Sequence, residues 1–256
     1  MPEERPLPKR QFAADRQIDR IAAVFESWFS CYAICAFPEP MPYRRTENVE
    51  RRLAARRASI ITAAREAASE AGMAAVQIAP IARRAGIAAG TVYRYFPGKT
   101  DLVAALLAEI TAREIGALRR AGDEAPGPLS ALCCCIMTFA DRALRNRRLT
   151  FAAIAEPIDA ELDPVRVNFR KSLAGEFAKR VAAAVSARYL PDQDSALGAA
   201  AVLGLLVEGL IGPLAPQAPG REREIVQTLT LTALRALGLP DARARGLVVQ
   251  TTVSNA

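Results

Sequence analysis

The sequence predicts an all-α protein: an N-terminal three-helix unit built around a helix-turn-helix, followed by a C-terminal helical domain. Three observations carry this. Ala, Leu and Arg dominate the 256 residues, aromatic residues are 6%, and runs of β-branched residues are rare, a balance that favours helix over sheet. Apolar residues recur at spacings of three and four through most of the chain, with no alternating strand pattern. Glycines and prolines fall between those periodic stretches rather than inside them.

Residues 1–40 read differently from the rest. Pro2, Pro6 and Pro8 open a stretch expected to be disordered. A patch over 21–37, including Trp28, is ended by Pro38 and Pro40 and is too short and interrupted to span a membrane. Residues 1–20 are polar, unlike a secretory signal. Met41 is a candidate true start, with the first 40 residues an upstream reading of the same frame. Peptides from before Met41, found by mass spectrometry of the natural protein, would end that idea. The expected divisions are 1–43 for this extension, 44–98 for the helix-turn-helix unit, 99–240 for the helical domain and 241–256 for a loosely held tail.

From 50 to 71, Leu53, Ile60, Ile61, Ala64, Ala68 and Ala71 fill one helical face, and Gly72 supplies a C-cap. A short helix follows near 78–85, with Pro80 in its first turn, where a missing N–H costs little. Gly86 makes a tight turn, and another short helix runs over 88–96 until Pro97 and Gly98 stop it. A long helix starts at Lys99 and reaches about residue 120. Further helices are expected near 129–147, 149–156, 163–189, 193–213 and 220–238, punctuated by Pro157, Pro164, Pro191, Pro213, Pro216 and Pro219.

Charge is concentrated. Residues 41–120 hold 14 Lys/Arg against 7 Asp/Glu, the residues before them 5 against 6, and those after 15 against 14, so the whole excess of +7 resides in one block. A basic block beside a neutral remainder marks a polyanion-binding module joined to something else, its plainer alternative being a solvated basic face. The chain has no histidine, which removes the commonest general base and metal ligand. No metal or cofactor is expected. Three consecutive cysteines, 133–135, suit a reduced helix better than a disulfide framework. They are expected to be inert buried thiols, with oxidant or soft-metal sensing the alternative.

The stretch 78–96 puts two helices and a glycine turn within about 20 residues, a corner able to set its second helix into a DNA major groove. Val92 and Phe96, four apart, face the core; Thr91, Tyr93, Arg94 and Tyr95 are distributed over the rest of that helix. Lys99 sits in the first turn of the next helix, where a cation is disfavoured by up to about 1 kcal/mol unless a phosphate docks there.

From Gly86-Ile87 through Val92-Tyr93-Arg94-Tyr95-Phe96 to Lys99 and Leu102, the segment 60–107 resembles the DNA-binding domain of the TetR/AcrR family of transcriptional regulators. The resemblance implies that Tyr93 contacts a base or the DNA backbone, that Tyr95 and Lys99 contact phosphates, that Thr91 caps or contacts backbone, and that DNA approaches Gly90 closely. Ala88 and Ala89 replace the polar residues usual at the start of that helix, Ala79 stands where a polar residue often reaches DNA, and Gln77 replaces the usual Ser/Thr cap. Methyl contacts from Ala89 and shape readout are therefore expected to matter more. With Arg44, Arg45 and Arg52 as a basic arm, the candidate DNA contacts are Arg44, Arg45, Arg52, Ala89, Gly90, Thr91, Tyr93, Arg94, Tyr95 and Lys99.

The resemblance also implies a ligand-responsive cytoplasmic homodimer, acting as a repressor on a near-palindromic double-stranded DNA operator and released by a small, apolar effector. The last two long helices would pair across a twofold axis, with Ala199, Leu203, Leu206, Leu210 and Leu229 at the dimer interface. Cys134, Met137, Phe151 and Phe169 are candidates for an apolar pocket, with ordinary core packing the alternative, and Arg166 and Arg170 for holding the anionic head group of a ligand, with salt bridges to Glu156, Asp159, Glu161 and Asp163 the alternative. An effector would pivot the helix from Lys99, with a coupling of about 1–3 kcal/mol. Two other readings compete: a helical-bundle enzyme with a basic docking segment, and a membrane-anchored interaction protein using 196–215, twenty residues with the single charge Glu208.

Overall fold

A computed structural model describes residues 47–217 and 220–251, and every described element is helical. The readings placed on 1–40, on Met41, and on Arg44 and Arg45 lie outside the described residues. Helix α1 (Glu47–Ala71) buries Ile60, Ile61, Ala64 and Ala68 along one stripe and ends at Gly72, whose φ of 85° only glycine adopts without strain. Helix α2 (Ile78–Arg84) and helix α3 (Ala89–Tyr93) meet across Gly86, which has φ 66°. Helix α3 is shorter than the 88–96 expected from the sequence. Pro97 disfavours helical backbone at Phe96, so the chain leaves the helix at Arg94 and closes with a turn.

Helix α4 (Lys99–Asp123) then runs into the larger bundle, formed by α5 (Pro128–Arg145), α6 (Arg147–Ile154), α7 (Asp163–Ser186), α8 (Ser195–Leu210), α9 (Glu222–Ala236) and α10 (Asp241–Gln250). Helix α7 is central, packing on α4, α5 and α8. Its Phe169, Leu173, Phe177 and Val181 recur at i, i+4, i+8 and i+12 and are all fully or nearly fully buried. Each such side chain contributes about 1.5–3 kcal/mol by leaving water. Phe177 meets Phe139 of α5 edge-on, with centroids 6.1 Å apart.

The tail expected over 241–256 is instead helical through Gln250, because Ala244 and Val248 are buried and α10 packs on α5 and α9. Among the described residues, no helix is long and apolar enough to cross a membrane. The apolar run that suggested a span is α8, 16 residues long.

Candidate nucleic-acid interface

The α2–α3 corner is held from beneath. Val92 is 0% exposed and Phe96 2%, the i, i+4 pair read from the sequence, and the Arg57 guanidinium of α1 lies 5.2 Å from the Phe96 ring centroid. Arg84 of α2 ties back to α1 through both carboxylate oxygens of Glu70, and this guanidinium holds the Glu70 carboxyl below its usual range. The opposite face of α3 is turned outward. Tyr93 is 53% exposed, Gly90 and Arg94 are exposed, Ala89 and Thr91 are half-buried, and a Cβ built on Gly90 meets nothing within 4 Å. Tyr95 is half-buried against the core. Arg52 is exposed on α1. Gln77 precedes α2 without a side-chain cap; its amide instead donates to the Ala74 carbonyl at 3.1 Å.

Lys99 stands at the start of α4, as expected, and its Nζ is 3.2 Å from Asp159 Oδ2. Asp159 belongs to the α6–α7 connection, and that connection has a second hold, on the turn between α1 and α2. Glu156 Oε2 accepts from the Met73 backbone N–H at 3.1 Å and from Arg148, while Arg148 Nη2 donates to the Ala71 carbonyl at 3.0 Å. Gly72 makes this possible: a Cβ there falls 1.8 Å from Arg148 Nη2. Gly72 reads as a cap from the sequence alone, and Glu156 and Asp159 as salt-bridge partners of nearby arginines, but Arg148 and the long-range contacts of all three do not. Their partners Met73, Ala71 and Lys99 lie between 60 and 83 residues away, beyond any local pattern.

The candidate effector residues are not brought together. Cys134 borders a surface groove with Ser130, Thr138 and Gln250. Met137 is buried, and Phe151 lies beneath Arg148. Phe169 alone of the set lines a cavity shared by α1, α4, α5 and α6. Arg166 is engaged by the Glu156 carbonyl and by Asp163, and Arg170 is exposed. The buried thiols are partnered: Cys135 donates to the Leu118 carbonyl at 3.2 Å, and Cys133 lies 3.8 Å from Met137 Sδ. Burial lifts both thiols to about 11 and raises Cys134 as well. No group of His, Cys, Asp and Glu among the described residues can hold a metal.

The expected interface residues pack against the chain's own core. Ala199, Leu203, Leu206 and Leu210 are at most 5% exposed within this single chain, so they have no surface left for a second copy. Leu229 packs inward, with its Cδ2 2.7 Å from a Cβ built on Gly209, so the glycine lets α8 and α9 of one chain approach closely. The periodicity was legible, but the inward face of a two-sided apolar helix cannot be told from the outward one by spacing. The outward face of α8 carries Leu197, 70% exposed, with Ala200, Ala201 and Gly204.

An outward-facing α3 on a helix-turn-helix, joined to a helical bundle, defines the class of helix-turn-helix protein with an appended all-α domain. Residues 60–106 match the family model described as bacterial regulatory proteins, tetR family. Over 72 residues, 28% of this chain, it is 42% identical to the HTH-type transcriptional repressor KstR of Rhodococcus jostii (strain RHA1), and the match spans 32% of that relative's length. The fold resembles RolR in complex with resorcinol, with TM-score 0.60 and 20% identity over 81% of this chain and 100% of that one. It also resembles a tetR-family regulatory protein from Rhodococcus RHA1, with TM-score 0.60 and 21% identity over 73% and 98%. The transcriptional regulator FadR from Bacillus subtilis, in complex with stearoyl-CoA, matches with TM-score 0.55 and 19% identity over 68% and 97%.

Proposed function

We propose that the chain is a dimeric transcriptional repressor that reads a near-palindromic DNA operator with α3 and releases it when a small effector binds the helical domain. The observation that carries this is Tyr93, half exposed on a short helix anchored from behind by Val92 and Phe96, in the chain's one basic block. Tyr93, Thr91, Arg94 and the Ala89–Gly90 backbone face the groove; Arg52, Tyr95 and Lys99 meet phosphates. On docking, Lys99 exchanges Asp159 for a DNA phosphate at the N-terminus of α4. KstR is a repressor by name, and RolR and FadR were solved with small ligands, which favours repression and effector control here.

Dimerisation is assigned to the outward face of α8, with Leu197, Ala200, Ala201 and Gly204, where small residues permit close helix approach. A twofold axis there sets two α3 helices about 34 Å apart, one DNA turn. The route from effector to DNA runs through α6, which lines the internal cavity with Leu149 and grips the α1–α2 turn with Arg148.

Selection of bound DNA from a random pool by the purified chain tests the reading. An inverted repeat with half-sites one turn apart is expected; recovery of no enriched sequence would overturn it. Leu197→Glu is expected to yield monomers in size-exclusion chromatography, and an unchanged dimer would move the interface elsewhere.

A further inference from the structure

The cavity that contains Phe169 is unlike the rest of the core, because apolar and cationic groups face the same space. Ile110, Phe139, Leu149 and Phe169 supply its apolar walls. Arg65, Arg113 and Arg142 also line it, against the single carboxylate of Glu114. Guanidiniums rarely line an interior space without anionic partners, since each uncompensated charge carries a desolvation cost.

Those partners are unevenly supplied. Arg142 is satisfied: its Nε and Nη2 donate to the two Glu114 oxygens at 2.9 and 2.6 Å. Arg113 reaches Glu109 at 3.3 Å, on the exposed side of α4. Arg65, half-buried, has its Nε shielded from solvent with no hydrogen-bond partner. The cavity therefore holds more positive charge than its own carboxylate neutralises, and the guanidinium left wanting an acceptor comes from α1, the helix that supports the DNA-reading corner.

We infer that this cavity binds a compact carboxylate, its apolar body against Phe139, Phe169 and Ile110 and its carboxylate taken by Arg65 with Arg113. The inference deepens, and rests on, the reading of the chain as an effector-controlled regulator. A carboxylate matches the planar fork of a guanidinium, which a neutral ligand does not. Compactness follows from size: the space is about 50 Å³, where a single water needs roughly 10–15 Å³. A short branched or aromatic acid matches that space, with an adjustment of Leu149 on the short helix α6, better than a long acyl chain does. The bound acid joins α1 to α4 and pushes on α6, the helix whose Arg148 grips the Ala71 carbonyl.

Isothermal titration of the full chain with isobutyrate, benzoate, benzamide, inorganic phosphate and decanoate tests this. Benzoate is expected to bind at least tenfold more tightly than benzamide, phosphate and decanoate, and Arg65→Met to erase the preference over benzamide. Equal affinity for benzoate and benzamide, a preference for phosphate or decanoate, or binding of none of the acids each overturns the inference. So does a folded Arg65→Met chain that keeps the preference. The benzoate–benzamide comparison on the unaltered chain stands even if that variant does not fold. DNA selected from the random pool, assayed without ligand, separates the two claims: operator binding with no response to carboxylates sinks this inference alone, and absence of operator binding sinks the regulator reading.

Discussion

Arginine is used in two ways in neighbouring parts of this chain. At the α2–α3 corner Arg83 and Arg94 stand exposed, and the side chains that define the surface turn away from the body. In the layer below, from Arg142 to Arg166, guanidiniums are fastened: Arg142 to Glu114, Arg148 to Glu156 and the Ala71 carbonyl, Arg166 to Asp163 and the Glu156 carbonyl. The first region leaves its guanidiniums open to solvent; the second fastens them to acceptors within the chain. The contrast shows where ordering is supplied by the fold and where it is left for a partner.

The largest expected effect is at the corner. Tyr93→Ala is expected to weaken operator binding by roughly 10- to 100-fold, the range of a base contact worth about 1–3 kcal/mol, while size-exclusion profiles stay unchanged. Loss of the dimer, or unchanged affinity, would dissolve the distinction between the regions.

Glycine to alanine sharpens the comparison, because the same substitution should act oppositely in the two places. Gly72→Ala imposes left-handed backbone at about 1–2 kcal/mol and drives Arg148 off the turn, so the melting temperature is expected to fall by several degrees. Gly90→Ala meets open space and improves helix propensity by roughly 0.5–1 kcal/mol, so stability is expected to hold or rise while DNA affinity drops. Equal melting temperatures for the two variants would contradict the account of Gly72.

A smaller effect belongs to Asp159→Asn. It frees Lys99 from an exposed ion pair of at most about 1 kcal/mol, and operator affinity measured by fluorescence anisotropy is expected to rise by a few-fold at most. A fall in affinity would mean that Asp159 positions Lys99 rather than competing with DNA for it.

The smallest effect concerns the buried thiols. Folding raises Cys133 and Cys135 from 9.0 to about 11, so the folded chain keeps protons that the unfolded chain releases. That contribution is complete below pH 9 and is lost as pH rises to about 11. The urea midpoint is expected to fall across this window, less steeply in Cys133→Ala, and iodoacetamide at pH 8 is expected to leave both thiols of the native chain unlabelled. Rapid labelling would reopen a sensing role for the triplet.

The same two regions explain what the sequence could disclose. The corner is local: Val92 and Phe96 are four apart, Gly86 turns the chain, and Pro97 stops it, so its helices and its outward tyrosine follow from spacing and backbone rules. The layer beneath closes over long separations, such as Met73 to Glu156 and Ala71 to Arg148. No periodicity signals those. The acidic residues before Arg166 make its pairing with Asp163 legible in the sequence, but not its hold on the Glu156 carbonyl; Arg65 and Arg142, 77 residues apart in the chain, line the cavity. The α8 leucines face inward, which spacing cannot disclose because α8 is apolar all round, and only the packing of α7 and α9 decides which side is left over.

The central claim is that α3 and its flanking cations lie on DNA phosphates and bases. Operator affinity measured against salt concentration, for the unaltered chain and for Lys99→Ala, tests it most directly. Log affinity should fall linearly with log salt, and removing Lys99 should make the slope shallower by about one per chain. A slope near zero, or one that Lys99→Ala leaves untouched together with the affinity, would contradict it.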